Sequence, residues 1–65
     1  MLLFPITDEL IGKRIRMIEM KDENYPIEKN TLGTIVHIGG DVINVKWDNG
    51  RYLGVIINFD EYEIL

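Results

Sequence analysis

Hydrophobic and polar positions alternate along most of the chain with a period of two. In the stretch from Lys13 to Met20, Ile15 and Met17 alternate with Arg14 and Arg16, the pattern of a strand with one buried face. Leu32 to Ile38 is rich in β-branched residues and predicts a second strand. Val42 to Trp47 predicts a third, with Ile43, Val45 and Trp47 on one face and Asn44 and Lys46 on the other. Arg51 to Ile57 predicts a fourth strand, in which Gly54 suggests a bend or bulge, and Tyr62 to Leu65 a short fifth.

The breaks between these runs carry turn chemistry. Gly39-Gly40-Asp41 and Asp48-Asn49-Gly50 predict tight hairpins, the second through an Asn-Gly pair suited to a type I′ turn. Asn58 to Glu61 predicts a single 3₁₀ turn. Lys21 to Thr31 is polar apart from Tyr25 and Ile27 and contains Pro26, which has no place in a central strand. It predicts one long loop, where binding residues tend to lie. Before the first strand, Thr7-Asp8-Glu9-Leu10-Ile11-Gly12 predicts one helical turn, capped by Thr7, with acids at its start and Gly12 at its stop. Met1 to Ile6 is an uncharged arm. Five short strands, two tight hairpins and one long first loop predict an all-β, five-stranded SH3-like barrel. It forms a single domain over residues 1–65, with the barrel in 12–65.

Three segments stand out together: Gly12-Lys13-Arg14-Ile15-Arg16, Leu32-Gly33-Thr34-Ile35-Val36 and Val45-Lys46-Trp47-Asp48-Asn49-Gly50. With Asp60-Glu61-Tyr62-Glu63-Ile64 near the end of the chain, they resemble a family of short, uncharacterised SH3-like proteins of bacteria, bacteriophages and other mobile elements. The resemblance spans residues 12 to 65. It implies the barrel fold and a phage or mobile-element setting, hence a host-cell cytoplasm, and it brings no activity.

Composition narrows the function. Sixty-five residues build a small core, and domains of this size commonly add disulfides, a metal or oligomerisation. The chain has no cysteine, so disulfides and thiolate metal sites are excluded and self-association is the expected support. A cysteine-free chain also fits a reducing compartment. The formal net charge of −4 works against nucleic acid and anionic membranes, whose affinity comes from neutralising phosphates. The apolar start is too short for a signal segment or a membrane span. With one histidine and neither cysteine nor serine, a nucleophilic triad cannot be assembled. His37 near Asp41 falls short of a metal ligand set and reads as a half-buried residue at a strand end. The acid pairs Asp22-Glu23 and Asp60-Glu61 read as solvated turn residues. A non-enzymatic binding module without a cofactor is expected.

Candidate binding residues fall into three groups, each with two readings. Trp47 is either core or, with Tyr25 and Tyr52, an aromatic platform for a base or a cation. Lys13, Arg14, Arg16 and Lys46, with Arg51 near the second hairpin, form either a solvated outer face or an anion site. Leu2, Leu3 and Phe4 pack either over their own domain or into a neighbouring subunit. Two partner classes follow. One is a host protein of basic character, bound by an oligomer. The other is a small anionic ligand, such as a nucleotide or cyclic-nucleotide signal, sequestered by a phage anti-defence oligomer.

Overall fold

A computed structural model describes residues 6–21 and 24–65. A short 3₁₀ turn, Asp8–Leu10, is followed by β1 (Arg14–Glu19), β2 (Leu32–Gly39), β3 (Val42–Trp47), β4 (Tyr52–Ile56) and β5 (Glu61–Ile64). Thr7 is extended and caps the turn with its side chain, and Gly12 follows with a φ of 93°. The strands form one antiparallel sheet in the order β4-β3-β2-β1-β5.

This order corrects the expected SH3-like barrel, because the sheet stays open. Among the described residues β4 pairs only with β3, and β5 only with β1. Closure needs a ladder between β4 and β5, and the intervening turn consumes the groups that would start one. Ile56 N–H donates to Asp60 Oδ2 at 2.9 Å. The Ile56 carbonyl accepts from the N–H groups of Phe59 and Asp60 at 3.1 and 3.0 Å. What links β5 to the end of β4 is instead a side-chain bond, Tyr62 Oη donating to the Ile57 carbonyl at 3.1 Å.

One sheet face carries the core. Ile15, Met17, Ile35, Ile43, Val45, Trp47 and Val55 are fully buried, joined by Met20 and by Ile27 from the long loop. Ile6 and Leu10 pack on the same cluster from the N-terminal side. Trp47 is its largest member, at 1% exposure, and its indole N–H donates to the Leu53 carbonyl at 3.0 Å. Gly33 lies directly opposite Trp47 in the β2–β3 ladder. A Cβ there would come within 2.5 Å of Val45 Cγ1 and 2.8 Å of Trp47 Cε3, so the indole position requires glycine.

Two register shifts alter the alternation. In β2 the ladder slips between Ile35 and His37, leaving Val36 as the extra residue. Unbroken alternation from Ile35 would turn His37 inward. The bulge turns it out, so His37 is exposed rather than half-buried, and Ile38 moves onto the core. In β1 the ladder with β5 slips between Met17 and Glu19, freeing Ile18. Gly54, by contrast, sits in an unbroken ladder opposite Asn44. It is small because a Cβ would meet Val42 Cγ1 at 2.5 Å, not because the strand bulges.

The two hairpins differ from each other. At Gly40-Asp41 only Gly40 has positive φ, 58°, the type II′ pattern. At Asp48-Asn49-Gly50 only Gly50 does, at 92°, whereas a type I′ turn needs positive φ at both central residues. Trp47 N–H bonds Arg51 O and Gly50 N–H bonds Trp47 O. The loop thus has three residues and ends in a left-handed glycine.

Candidate functional site

The bulge at Ile18 opens the molecular surface between β1, β5 and the long loop. Ile18 is the residue left over when the β1–β5 register shifts, and it is half-buried between two grooves. The first groove, about 400 Å³, is lined by Ile6, Ile18, Ile57, Asp60, Glu61, Tyr62 and Ile64. It occupies the gap left by the open sheet, with the end of β4 on one side and the inward residues of β5 on the other. The second, about 520 Å³, is lined by Ile18, Glu19, Met20, Pro26, Ile27, Glu28, Lys29 and Glu61. Ile18 and Glu61 line both, so the two grooves adjoin in one depression divided at these residues, with isoleucines in the lining of each. Its charged residues are Asp60, Glu61, Glu19 and Glu28 against Lys29.

Asp60 shapes this region from inside. It is 8% exposed, and its two oxygens accept from Lys21 N–H at 3.0 Å and Ile56 N–H at 2.9 Å. It ties the end of β1 to the end of β4, a role at odds with the solvated turn residue expected from its neighbourhood in sequence. The readable signal was an aspartate just after a strand, where its side chain can bond nearby backbone N–H groups. Lys21 adds an ion pair to Glu61 at 3.2 Å and lies 5.9 Å from the Phe59 ring centroid. Burial raises the Tyr62 phenol above its ordinary pKa of 10.

The β5 edge has a definite backbone polarity. Leu65 N–H donates to the Arg14 carbonyl at 2.9 Å, so Leu65 faces β1 in a hydrogen-bonded pair. Antiparallel residues alternate between pairs that exchange hydrogen bonds and pairs that do not. In the register Ile15↔Ile64, Arg16↔Glu63 and Met17↔Tyr62, Glu63 therefore faces β1, and Tyr62 and Ile64 turn their N–H and C=O groups outward. Among the described residues no strand pairs with that side.

The basic and aromatic residues lie elsewhere. Arg14, Thr34, Lys46 and Tyr52 are in register across β1 to β4 and form one row on the outer face. Arg14 donates to Thr34 Oγ1 at 2.9 Å and to Asp48 Oδ1 at 3.0 Å. This pairing raises the Arg14 pKa and lowers that of Asp48, chiefly through the hydrogen bond between them. Arg16 pairs with Glu63. Lys46 lies 5.9 Å from the Tyr52 ring centroid. Arg51 reaches the long loop, donating to the Pro26 carbonyl at 3.4 Å. Tyr52 and Tyr25 are 68% and 78% exposed, whereas Trp47 is buried. Tyr52 and Trp47 project from opposite faces of the sheet, so the three aromatics share no platform. Leu2, Leu3 and Phe4, together with Asp22 and Glu23, lie outside the described residues.

Residues 10–65 match the family described as Domain of unknown function (DUF4314). The chain belongs to this family. The match takes in all five strands of the sheet and both grooves apart from Ile6, so the depression is built almost wholly from DUF4314 residues. No curated protein and no solved structure matches the chain. Among the described residues of this DUF4314 domain, no helix is long and apolar enough to cross a membrane.

Proposed function

We propose that this DUF4314 domain is a non-enzymatic binding module whose partner is a protein of basic character, docked on the depression around Ile18. The observation that carries the reading is the composition of that depression: half-buried isoleucines line it, and the exposed carboxyls at its rim, Glu19, Glu28 and Glu61, outnumber the one lysine, Lys29. Apolar contact supplies affinity there, and the acidic rim selects and steers a positively charged surface. The net charge of −4 acts in the same direction.

The marginal size of the chain and its uncharged residues 1–6 support action as a homo-oligomer. Sedimentation at micromolar concentration is expected to give a mass above the 7.6 kDa of one chain. The phage or mobile-element setting, with a host protein as target, belongs to the same proposal. An anionic nucleotide held by Arg14, Arg16 and Arg51 draws less support. Trp47 is buried and has no free face to stack a base.

The test is a titration of the methyl-labelled chain with a lysine-rich peptide and, separately, with a panel of cyclic nucleotides. Saturable shifts of the Ile18, Ile57 and Ile64 methyls with the peptide alone are expected. Shifts confined to the Arg14 and Arg16 surface, produced by a nucleotide, overturn the reading.

A further inference from the structure

We propose that the outer edge of β5 accepts an added strand from a basic, β-forming segment of the partner. This rests on the protein-partner reading above and states how the partner is held.

Three observations converge on β5. Its outward backbone groups belong to Tyr62 and Ile64, as the register with β1 and the Leu65–Arg14 hydrogen bond require. Those same two residues line the apolar groove with their side chains. An added strand would therefore find main-chain hydrogen bonds and a side-chain pocket in one place, the combination that strand addition uses. On the other face of β5, Glu61 and Glu63 remain 53% and 48% exposed despite their ion pairs with Lys21 and Arg16.

Those two glutamates also choose the occupant. If two copies of β5 paired antiparallel about a two-fold axis, residues of the same face would meet. Any such pairing through Tyr62 sets Glu61 opposite Glu63, or Glu63 opposite itself, and like charges directly opposite are destabilising. A strand with lysine or arginine at alternate positions reverses the sign of those contacts, while its remaining apolar residues face the groove. The β4 edge offers no equal site. The Ile56 backbone groups are taken by the Asp60 turn, and Gly54 brings no side chain to a pocket.

The deciding experiment follows amide shifts and hydrogen exchange of the full chain during titration with a hexapeptide alternating lysine and valine. Controls are a glutamate–valine hexapeptide and the lysine peptide with alternate backbone nitrogens methylated. Exchange at Tyr62 and Ile64 should slow on saturation with the lysine peptide. Both controls should bind about tenfold more weakly, as expected when one or two cross-strand contacts are reversed or blocked. In the double variant Glu61→Lys, Glu63→Lys, whose substitutions are exposed, the preference should invert toward the glutamate peptide. Saturable binding in the groove with no protection of Tyr62 and Ile64 overturns strand addition but leaves the protein-partner reading intact. Equal binding of the two charge patterns overturns the selection by Glu61 and Glu63. Protection already present in the unliganded chain shows the edge to be occupied and overturns the proposal. No interaction with any of these peptides, together with unmoved groove methyls, overturns both readings.

Discussion

The two edges of the sheet are built from similar strands and meet opposite fates. β4 and β5 are short, each pairs with one neighbour, and each alternates an inward with an outward residue. At β4 the chain folds back on itself: Asp60 and the N–H groups of its turn satisfy both backbone groups of Ile56. At β5 the outward groups of Tyr62 and Ile64 meet no strand among the described residues, and an apolar groove lies beside them. Unpaired edges invite association, and proteins commonly blunt them. Here one edge is partly blunted by a buried carboxyl and, among the described residues, the other is guarded by the charges of Glu61 and Glu63. A guard made of charge excludes like-charged strands and admits oppositely charged ones.

The largest effect on this contrast is expected from Asp60→Ala. It removes two hydrogen bonds to a nearly buried carboxyl and leaves Lys21 and Ile56 N–H without their partner. Bonds to charged groups contribute about 1.5–3 kcal/mol each, so a loss of about 3 kcal/mol by urea unfolding is expected, with self-association through the freed β4 edge. Retention of wild-type stability would show that the turn is held by other contacts. Gly33→Ala tests the centre of the sheet against its margins. The added methyl meets Val45 and Trp47, and overpacking of this kind costs about 1–3 kcal/mol. The same substitution at Gly12, where nothing lies within 4 Å, probes backbone conformation alone.

Tyr62→Phe is the next smaller change, expected to cost about 1 kcal/mol through its bond to the Ile57 carbonyl. It also has a pH signature. Burial raises the phenol pKa in the folded chain, so its contribution is complete below the unfolded value of about 10 and is lost as pH rises through the raised one. Wild-type stability should fall more steeply than that of the variant above pH 10. Parallel curves would sink this assignment. The smallest effect belongs to the Arg14–Asp48 pair on the outer face. The depressed Asp48 pKa gives a contribution present above its unfolded value and lost as pH falls through the folded one. The pair is exposed, so Asp48→Asn should differ from wild type barely at all in 1 M salt.

The strands and most of the core were legible in the sequence because they follow local alternation. Ile15, Met17, Ile43, Val45 and Trp47 stand in phase and are buried together, and Thr7 and Gly12 bracket the short turn where their chemistry places them. What could not be read depends on pairing between distant residues. The slips at Val36 and Ile18 arise from the register of neighbouring strands, and they decide that His37 faces solvent and that the depression opens at Ile18. Whether the sheet closes depends on whether the Ile56 backbone bonds the turn that follows it or a distant strand; its partners, Phe59 and Asp60, are local, but strand alternation does not decide between the two. Asp60 looked like a solvated acid because one of its two contacts, Lys21, lies far off in the sequence and reaches it only in the folded chain. The candidate site was missed for the same reason: its residues come from the N-terminal side, β1, the long loop and β5. Of the residues conspicuous in the sequence, Arg14, Arg16, Lys46 and Tyr52 share the outer face, and Trp47 is buried on the other.

Amide hydrogen exchange of the unliganded chain and of its complex with the lysine–valine peptide compares the two edges directly. The Ile56 amide should be protected in both states. The Tyr62 and Ile64 amides should exchange rapidly in the free chain and slowly in the complex. Protection of Tyr62 and Ile64 without peptide, or rapid exchange that persists at saturation, would contradict an open β5 edge that takes up a basic strand.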